Sequence, residues 1–224
     1  CQPFGLWQIL PVHAFASHLE VVMQQTSSSN LSLNQQVVLV TGGARGLGEH
    51  LVRAFLREGA KVVINYHNSN TAANTLAAEY PEHALALQAD VTDAEAVKAL
   101  FSQAHTHFGQ PITTVINNAL PAFSFNGDAR PNAEQLSWEH MNQQLEGIVK
   151  GALNTTQAAL PGMREAGFGR IVNVGTNLFQ NPVVPYHDYT AAKAALLSLT
   201  RTLSQDLGPN EITVNMVSGG LLRT

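Results

Sequence analysis

Cysteine is almost missing from this sequence: Cys1 is the only one in 224 residues. That excludes a disulfide framework and a cysteine-based zinc site, and it points to a reducing compartment, the cytoplasm. Charge is scarce too. Asp, Glu, Lys and Arg make up 12% of the chain, about half the usual share. Basic residues are outnumbered 12 to 16, for a formal net charge of −4. Nucleic acid needs a clustered basic surface, so it is excluded as a partner. No apolar run is long enough to cross a bilayer: the best one, over 6–16, is broken by Gln8, Pro11 and His13. Residues 1–34 hold no Lys or Arg, so neither a secretory signal nor an Arg-rich transit peptide is read there. The nine histidines form no H-E-x-x-H pattern, and His105 and His107 are spaced to point apart on a helix. No metal site is expected.

What is present is a core-forming chain. Apolar residues make 45% of it, which excludes dominant disorder, and the length suits one domain. Met23 precedes a polar run over 24–30. Residue 23 reads as the natural start, with 1–22 as upstream translation or a mobile extension and 1–35 as a flexible lead-in. From Gln36 short apolar runs alternate with amphipathic stretches. Strands are predicted over 37–40, 61–65, 84–89, 112–117, 170–174 and 212–217. Helices are predicted from Leu47 to Gly59, over 70–80, from Asp93 to about 107, over 134–160 and over 187–207. Such alternation specifies a doubly wound, Rossmann-type α/β fold with a parallel sheet, here a single domain over 36–224. Its ligand site belongs at the carboxyl ends of the strands.

Directly after the first predicted strand comes Thr41-Gly42-Gly43-Ala44-Arg45-Gly46-Leu47-Gly48. Gly42 and Gly46 permit a tight turn, and Gly48 permits close packing of the helix on the sheet. The free N–H groups at the helix start suit a pyrophosphate. The spacing is G-x3-G-x-G, and no Lys-Ser or Lys-Thr follows, so it is not an NTP-binding loop. Arg45, inside the turn, suits a phosphate. The second strand ends in Asn65-Tyr66-His67-Asn68-Ser69, without the acid that would bind the ribose of NAD. Together these features favour NADP(H).

Tyr189 and Lys193 are spaced i, i+4 on a predicted helix and share a face. An ammonium beside a phenol favours the phenolate and lowers a pKa that is otherwise about 10. The order TGGARGLG (41–48), ADV (89–91), NNA (117–119), Thr176, Tyr189-x-x-x-Lys193 and ITVN (212–215) resembles the short-chain dehydrogenase/reductase family over about 36–224. The segment over 65–69 and Arg45 look most like 3-oxoacyl-[acyl-carrier-protein] reductases of fatty acid biosynthesis.

The resemblance implies an oxidoreductase that reduces a carbonyl with NADPH. Gly42, Arg45, Gly46, Leu47, Gly48 and Asn65 would serve the cofactor's phosphate and ribose end. Asp90 and Val91 would meet its adenine, and Asn117 and Ala119 its middle. Tyr189 would protonate the substrate carbonyl as hydride arrives. Lys193 would hold the nicotinamide ribose and tune Tyr189. Thr176 stands where the family normally has Ser, and Leu120 where it has Gly. The family's catalytic Asn on the helix after strand four is missing: one count places Ile148 there, another Leu145 or Gln144. His187 either edges the substrate pocket or is a solvated loop residue. Phe123 and Phe125 read as core anchors in preference to pocket lining.

The resemblance also implies that the chain stops at 221–224, where a substrate lid begins, with Ser218-Gly219-Gly220 in place of Pro-Gly. An exposed strand edge, an apolar patch and poor stability would follow. The full-length parent would be a homotetramer. An acidic carrier protein would want a basic patch at the pocket mouth, and only Arg164 and Arg170, flanking Glu165, offer one. Another small ketone, a sugar or a steroid is the alternative substrate, and a non-catalytic NADP-binding protein or incomplete gene product is the alternative function.

Overall fold

The computed structural model describes residues 31–121, 123 and 130–219. The expectations for 1–30, Phe125, Gly220 and 221–224 lie outside the described residues. Six parallel strands form one sheet: β1 (Val37–Val40), β2 (Lys61–Tyr66), β3 (Ala84–Gln88), β4 (Thr114–Asn117), β5 (Gly169–Thr176) and β6 (Ile212–Gly219), in the order β3-β2-β1-β4-β5-β6. The helices are α1 (Gly46–Arg57), α2 (Asn70–Ala78), α3 (Ala94–Phe108), α4 (Trp138–Leu145), α5 (Gly151–Ala166) and α6 (His187–Leu207). This is the single-domain, doubly wound fold expected from the alternation.

The side chains of β1 alternate between the two faces. Val37 and Leu39 pack with Leu100, Phe108, Met163 and Leu207, while Val38 and Val40 pack with Val52, Leu56 and Leu76. Both faces are covered, which explains why β1 is an unbroken β-branched and Leu run. A third apolar cluster joins Ile148 and Ala152 to Leu178, Tyr186, Tyr189, Ala192 and Leu196. Strand order reverses between β1 and β4, so a crevice opens at their carboxyl ends, below the glycine turn and the NNA segment.

The predicted 134–160 helix differs most. Asn132 Oδ1 accepts from the N–H groups of Glu134 and Gln135 and closes a separate turn. Ser137 then caps α4 by accepting from His140 N at 3.3 Å. A π-helical turn, Glu146–Lys150, separates α4 from α5. Beyond it, α5 continues through Pro161 to a left-handed Gly167. The carbonyl deprived of its donor by the proline is that of Gln157, an exposed residue. Strand β5 extends to Thr176 and β6 to Gly219 because the two pair residue by residue over their whole length.

Candidate active site

The glycine turn is held by its neighbours. Gly42 and Gly46 have φ of +62° and +55°, a region open to glycine. A Cβ on Gly48 would collide with the carbonyl of Gly42, so the first turn of α1 closes directly on the loop, a tighter constraint than packing on the sheet. Asn118 Nδ2 donates to the carbonyls of Thr41 and Gly42, at 2.9 and 3.3 Å. Thr41 Oγ1 accepts from the N–H groups of Asn118 and Ala119, each at 2.9 Å. Asn65 is buried: its Nδ2 donates to Ala89 O at 3.0 Å and its Oδ1 accepts from Gly42 N at 3.3 Å. Its side chain therefore shapes the turn. Arg45 is exposed at the head of α1 and forms no ion pair among the described residues, while Leu47 is half-buried in the first turn of α1.

A cleft runs from this turn to the Tyr–Lys helix. It is lined by Thr41, Val91, Asn117, Ala119, Gly147, Ile148, Gly151, Ala152, Lys193 and Leu196. Asn154 Nδ2 donates to Val91 O at 2.9 Å and holds that segment. Asp90 is half-buried. Burial pushes its carboxyl up, but the N–H and hydroxyl of Thr92 outweigh that and leave it below the ordinary range, helped by His67 and Lys150.

A buried polar chain crosses the sheet beneath the cleft. Thr155 donates to Asn117 at 2.6 Å, Asn117 to Asn173 at 2.9 Å, and Asn173 to Thr200 at 2.8 Å. It ties α5, β4, β5 and α6 together, and each polar group in it has a partner. Thr155, Asn173, Thr200, Thr41 and Asn118 were missed as positioning residues. The adjacent polar residues in NNA and the buried-strand Asn were the available signal.

Thr176 ends β5, and Tyr189 and Lys193 lie in the first two turns of α6. All three are buried. Thr176 Oγ1 accepts from Leu178 N at 3.3 Å and is hydrogen-bonded to Tyr189. Burial pushes the Tyr189 phenol above its ordinary value, against the Thr176 bond, which lowers it. Lys193 Nζ donates to Val174 O at 2.5 Å and stands 5.8 Å from the centre of the Tyr189 ring. Burial lowers the Lys193 pKa to about 8. The lowering of Tyr189 expected from the Lys193 ammonium is not seen: burial raises Tyr189 and lowers Lys193.

The π turn sets which residues of this segment reach the cleft. Ile148 lines the cleft with Lys193, whereas Gln144, fully buried, is not among the lining residues, and Leu145 packs on the apolar cluster. Small residues allow this: a Cβ on Gly147 would strike Pro121, and one on Gly151 would strike Val91. Tyr186 is buried while His187 is exposed, and both line a groove with Pro182, Val184 and Thr190 beside Tyr189. Phe123 packs on Tyr186 and Tyr189, so it serves as an anchor and as a wall of the site. Arg164 and Arg170 lie at the opposite end of the sheet, where Arg170 bonds the carbonyls of Gly169 and Glu211. Among the described residues no helix is long and apolar enough to cross a membrane, and no group of three or more His, Cys, Asp or Glu is placed to hold a metal.

Comparison with known proteins agrees with this geometry. The chain is 34% identical over 203 residues to a versicolorin reductase of Emericella nidulans, covering 89% of this chain and 74% of that one. It is 30% identical to a chloroplastic NADPH-dependent aldehyde reductase of Arabidopsis thaliana, covering 88% and 76%. A crystal structure of a short-chain dehydrogenase from Streptomyces avermitilis superposes with a TM-score of 0.75 at 30% identity, over 84% of this chain and 67% of that one. The short chain dehydrogenase family model matches residues 36–224, and the chain belongs to that family of oxidoreductases.

Proposed function

We propose that this chain reduces a carbonyl to a secondary alcohol with NADPH, on a free, ring-bearing apolar ketone. The observation behind this reading is the hydrogen-bonded pair Thr176 and Tyr189 one helical turn from Lys193, which lines the cleft together with Thr41 of the glycine turn. That turn fits a nicotinamide dinucleotide: it has two left-handed glycines, a loop-to-helix approach that a Cβ would block, and exposed N–H groups at the helix start. Gly42, Gly46, Leu47 and Gly48 would hold the pyrophosphate, Asp90 and Val91 the adenine, and Asn117, Ala119, Tyr189 and Lys193 the nicotinamide end. Arg45, exposed and without an ion pair among the described residues, supports NADP(H) over NAD(H). When bound, the cofactor supplies the hydride.

The protein's part is proton transfer and orientation. Thr176 Oγ1 takes the Leu178 N–H, and its hydroxyl bonds Tyr189 in the sense that favours the phenolate left after proton transfer. Tyr189, kept protonated by burial, gives its proton to the carbonyl oxygen as negative charge develops there. Lys193 would hold the ribose and, while charged, favours that transfer. Ile148 brings no polar group to this part of the cleft, so the hydroxyl that the structure sets against Tyr189 is that of Thr176.

Tyr189 packs in an apolar cluster with Phe123, Leu178, Val184 and Tyr186, and Val184 and Tyr186 also line the groove at the start of α6, which suits an apolar substrate. The reductases named above are relatives that suit carbonyl reduction, one of them with NADPH. A second reading, 3-oxoacyl thioesters on an acyl carrier protein, is favoured by Arg45 and the segment over 65–69; the placement of Arg164 and Arg170 away from the cleft weighs against it. A homotetrameric parent and a cytoplasmic location belong to the same proposal. The test is NADPH and NADH titration by nicotinamide fluorescence, then turnover with a tetralone and with an acetoacetyl thioester. Faster NADPH oxidation with the tetralone is expected. Preference for the thioester would support the second reading, and no turnover with either would refute both.

A further inference from the structure

We propose that Arg130 is a positioning residue that holds Phe123 against the ring of Tyr189 and thereby sets the proton donor; its kinetic consequence rests on the reductase reading above. Arg130 makes an ion pair with Asp188, and their side chains are only 14% and 4% exposed. The guanidinium lies 4.1 Å from the centre of the Phe123 ring. Phe123 in turn lies 5.0 Å from the Tyr189 ring, tilted by 35°, and 5.3 Å from Tyr186, edge on. Tyr186 meets Tyr189 edge on at 6.5 Å. Arginine, Phe123 and the proton donor thus form one continuous stack.

Asp188 closes the loop of contacts. It immediately precedes Tyr189 in the first turn of α6, where negative charge is favoured by the helix dipole. One backbone turn therefore holds both the acid that anchors Arg130 and the phenol that Phe123 covers. A carboxylate this buried requires a paired cation. The guanidinium reaches Asp188 through Nη2 while its carbon stands over the Phe123 ring, a pair of contacts that a compact ammonium does not span in the same way. Because the Arg130 charge is already matched by Asp188, the residue does not serve as a receptor for an anionic substrate. No local motif marks the pair, whose members are 58 residues apart.

The test uses Arg130→Met/Asp188→Asn, which removes both charges together, because Arg130→Met alone leaves a buried carboxylate unmatched and endangers folding. Phe123→Leu removes the ring, and Phe123→Tyr keeps it. For each, the Tyr189 ionisation is read from tyrosinate absorbance as the difference from the same protein carrying Tyr189→Phe. NADPH affinity, kcat and melting temperature are measured alongside. The double variant and Phe123→Leu are expected to fold and bind NADPH as the wild type does. Their Tyr189 titration moves down towards that of free tyrosine, and kcat falls about tenfold, the scale of a misplaced reacting group. Phe123→Tyr retains both properties. An unmoved Tyr189 titration in folded double variant and Phe123→Leu would overturn the proposal, whether or not kcat changes. If the wild type shows no turnover, the reductase reading fails while the titration still decides the role of Arg130.

Discussion

Lys193 donates to Val174 O at 2.5 Å while its ammonium stands 5.8 Å from the centre of the Tyr189 ring, one turn away on the same helix. The phenol and the ammonium share a face of α6 but occupy a dry corner, with Ile148, Ala152 and Leu196 beside them. Burial disfavours the charged form of each, which favours the neutral phenol of Tyr189 and brings the Lys193 pKa down to about 8.

Stability should therefore depend on Lys193 and pH. In the folded chain its pKa is about 8, against 10.5 for the ordinary group. Between those values the unfolded chain binds more protons, so stability rises with pH across that window. Below it, the buried ammonium costs about 3 kcal/mol, at about 1.4 kcal/mol per pH unit of separation. Lys193→Met removes that cost, less the bond to Val174. Urea denaturation should show the variant's advantage at neutral pH shrinking as pH climbs from 8 towards 10.5. A constant difference would contradict this.

Catalysis should share that pH dependence. The second-order rate constant for NADPH reports the free enzyme and should decline above about pH 8, as Lys193 loses its charge. Ile148→Asn puts a polar group beside Lys193 and should move the decline to higher pH. An identical profile in the variant would show that Ile148 does not control this lysine.

Removing the proton donor should separate chemistry from binding. Tyr189→Phe is expected to lower kcat by about 10²- to 10⁴-fold with NADPH affinity little changed. Thr176→Ser keeps the hydroxyl and should retain most activity, whereas Thr176→Val should lose about tenfold or more, the worth of a hydrogen bond to a developing charge. Stopped-flow single turnovers give the comparison directly.

Cofactor choice should depend on Arg45. Arg45→Ala is expected to weaken NADPH binding about tenfold or more, as a charge-assisted hydrogen bond implies, and to leave NADH binding nearly unchanged. Equal losses for both cofactors would assign Arg45 to the shape of the loop.

Much of this molecule was legible along the chain. The strands and most helices follow from apolar runs and helical spacing, and the glycine turn, Thr176, Tyr189 and Lys193 are local patterns. The stretch over 134–160 was not legible, because an α-helical count assumes one period throughout. The π turn at Glu146–Lys150 changes that period in mid-segment, which is why counts from either side disagreed by about a turn. Asn65 was read as a cofactor contact at a strand end; its side chain instead bonds the glycine turn, a partner supplied by strand pairing.

The sequence by itself determined the doubly wound fold, the glycine turn between β1 and α1 and the placing of Tyr189 and Lys193 on one helix face, because each is encoded in spacing over a few residues. Only the tertiary structure decided that Ile148 faces Lys193, that Asn117 and Asn173 join in a buried polar chain, and that Arg130 reaches Asp188 behind Phe123. Those contacts join distant segments. Packing sets them, through the close approach of Gly147 to Pro121 and Gly151 to Val91 and through burial of charge that must find its partner, and no local pattern records that.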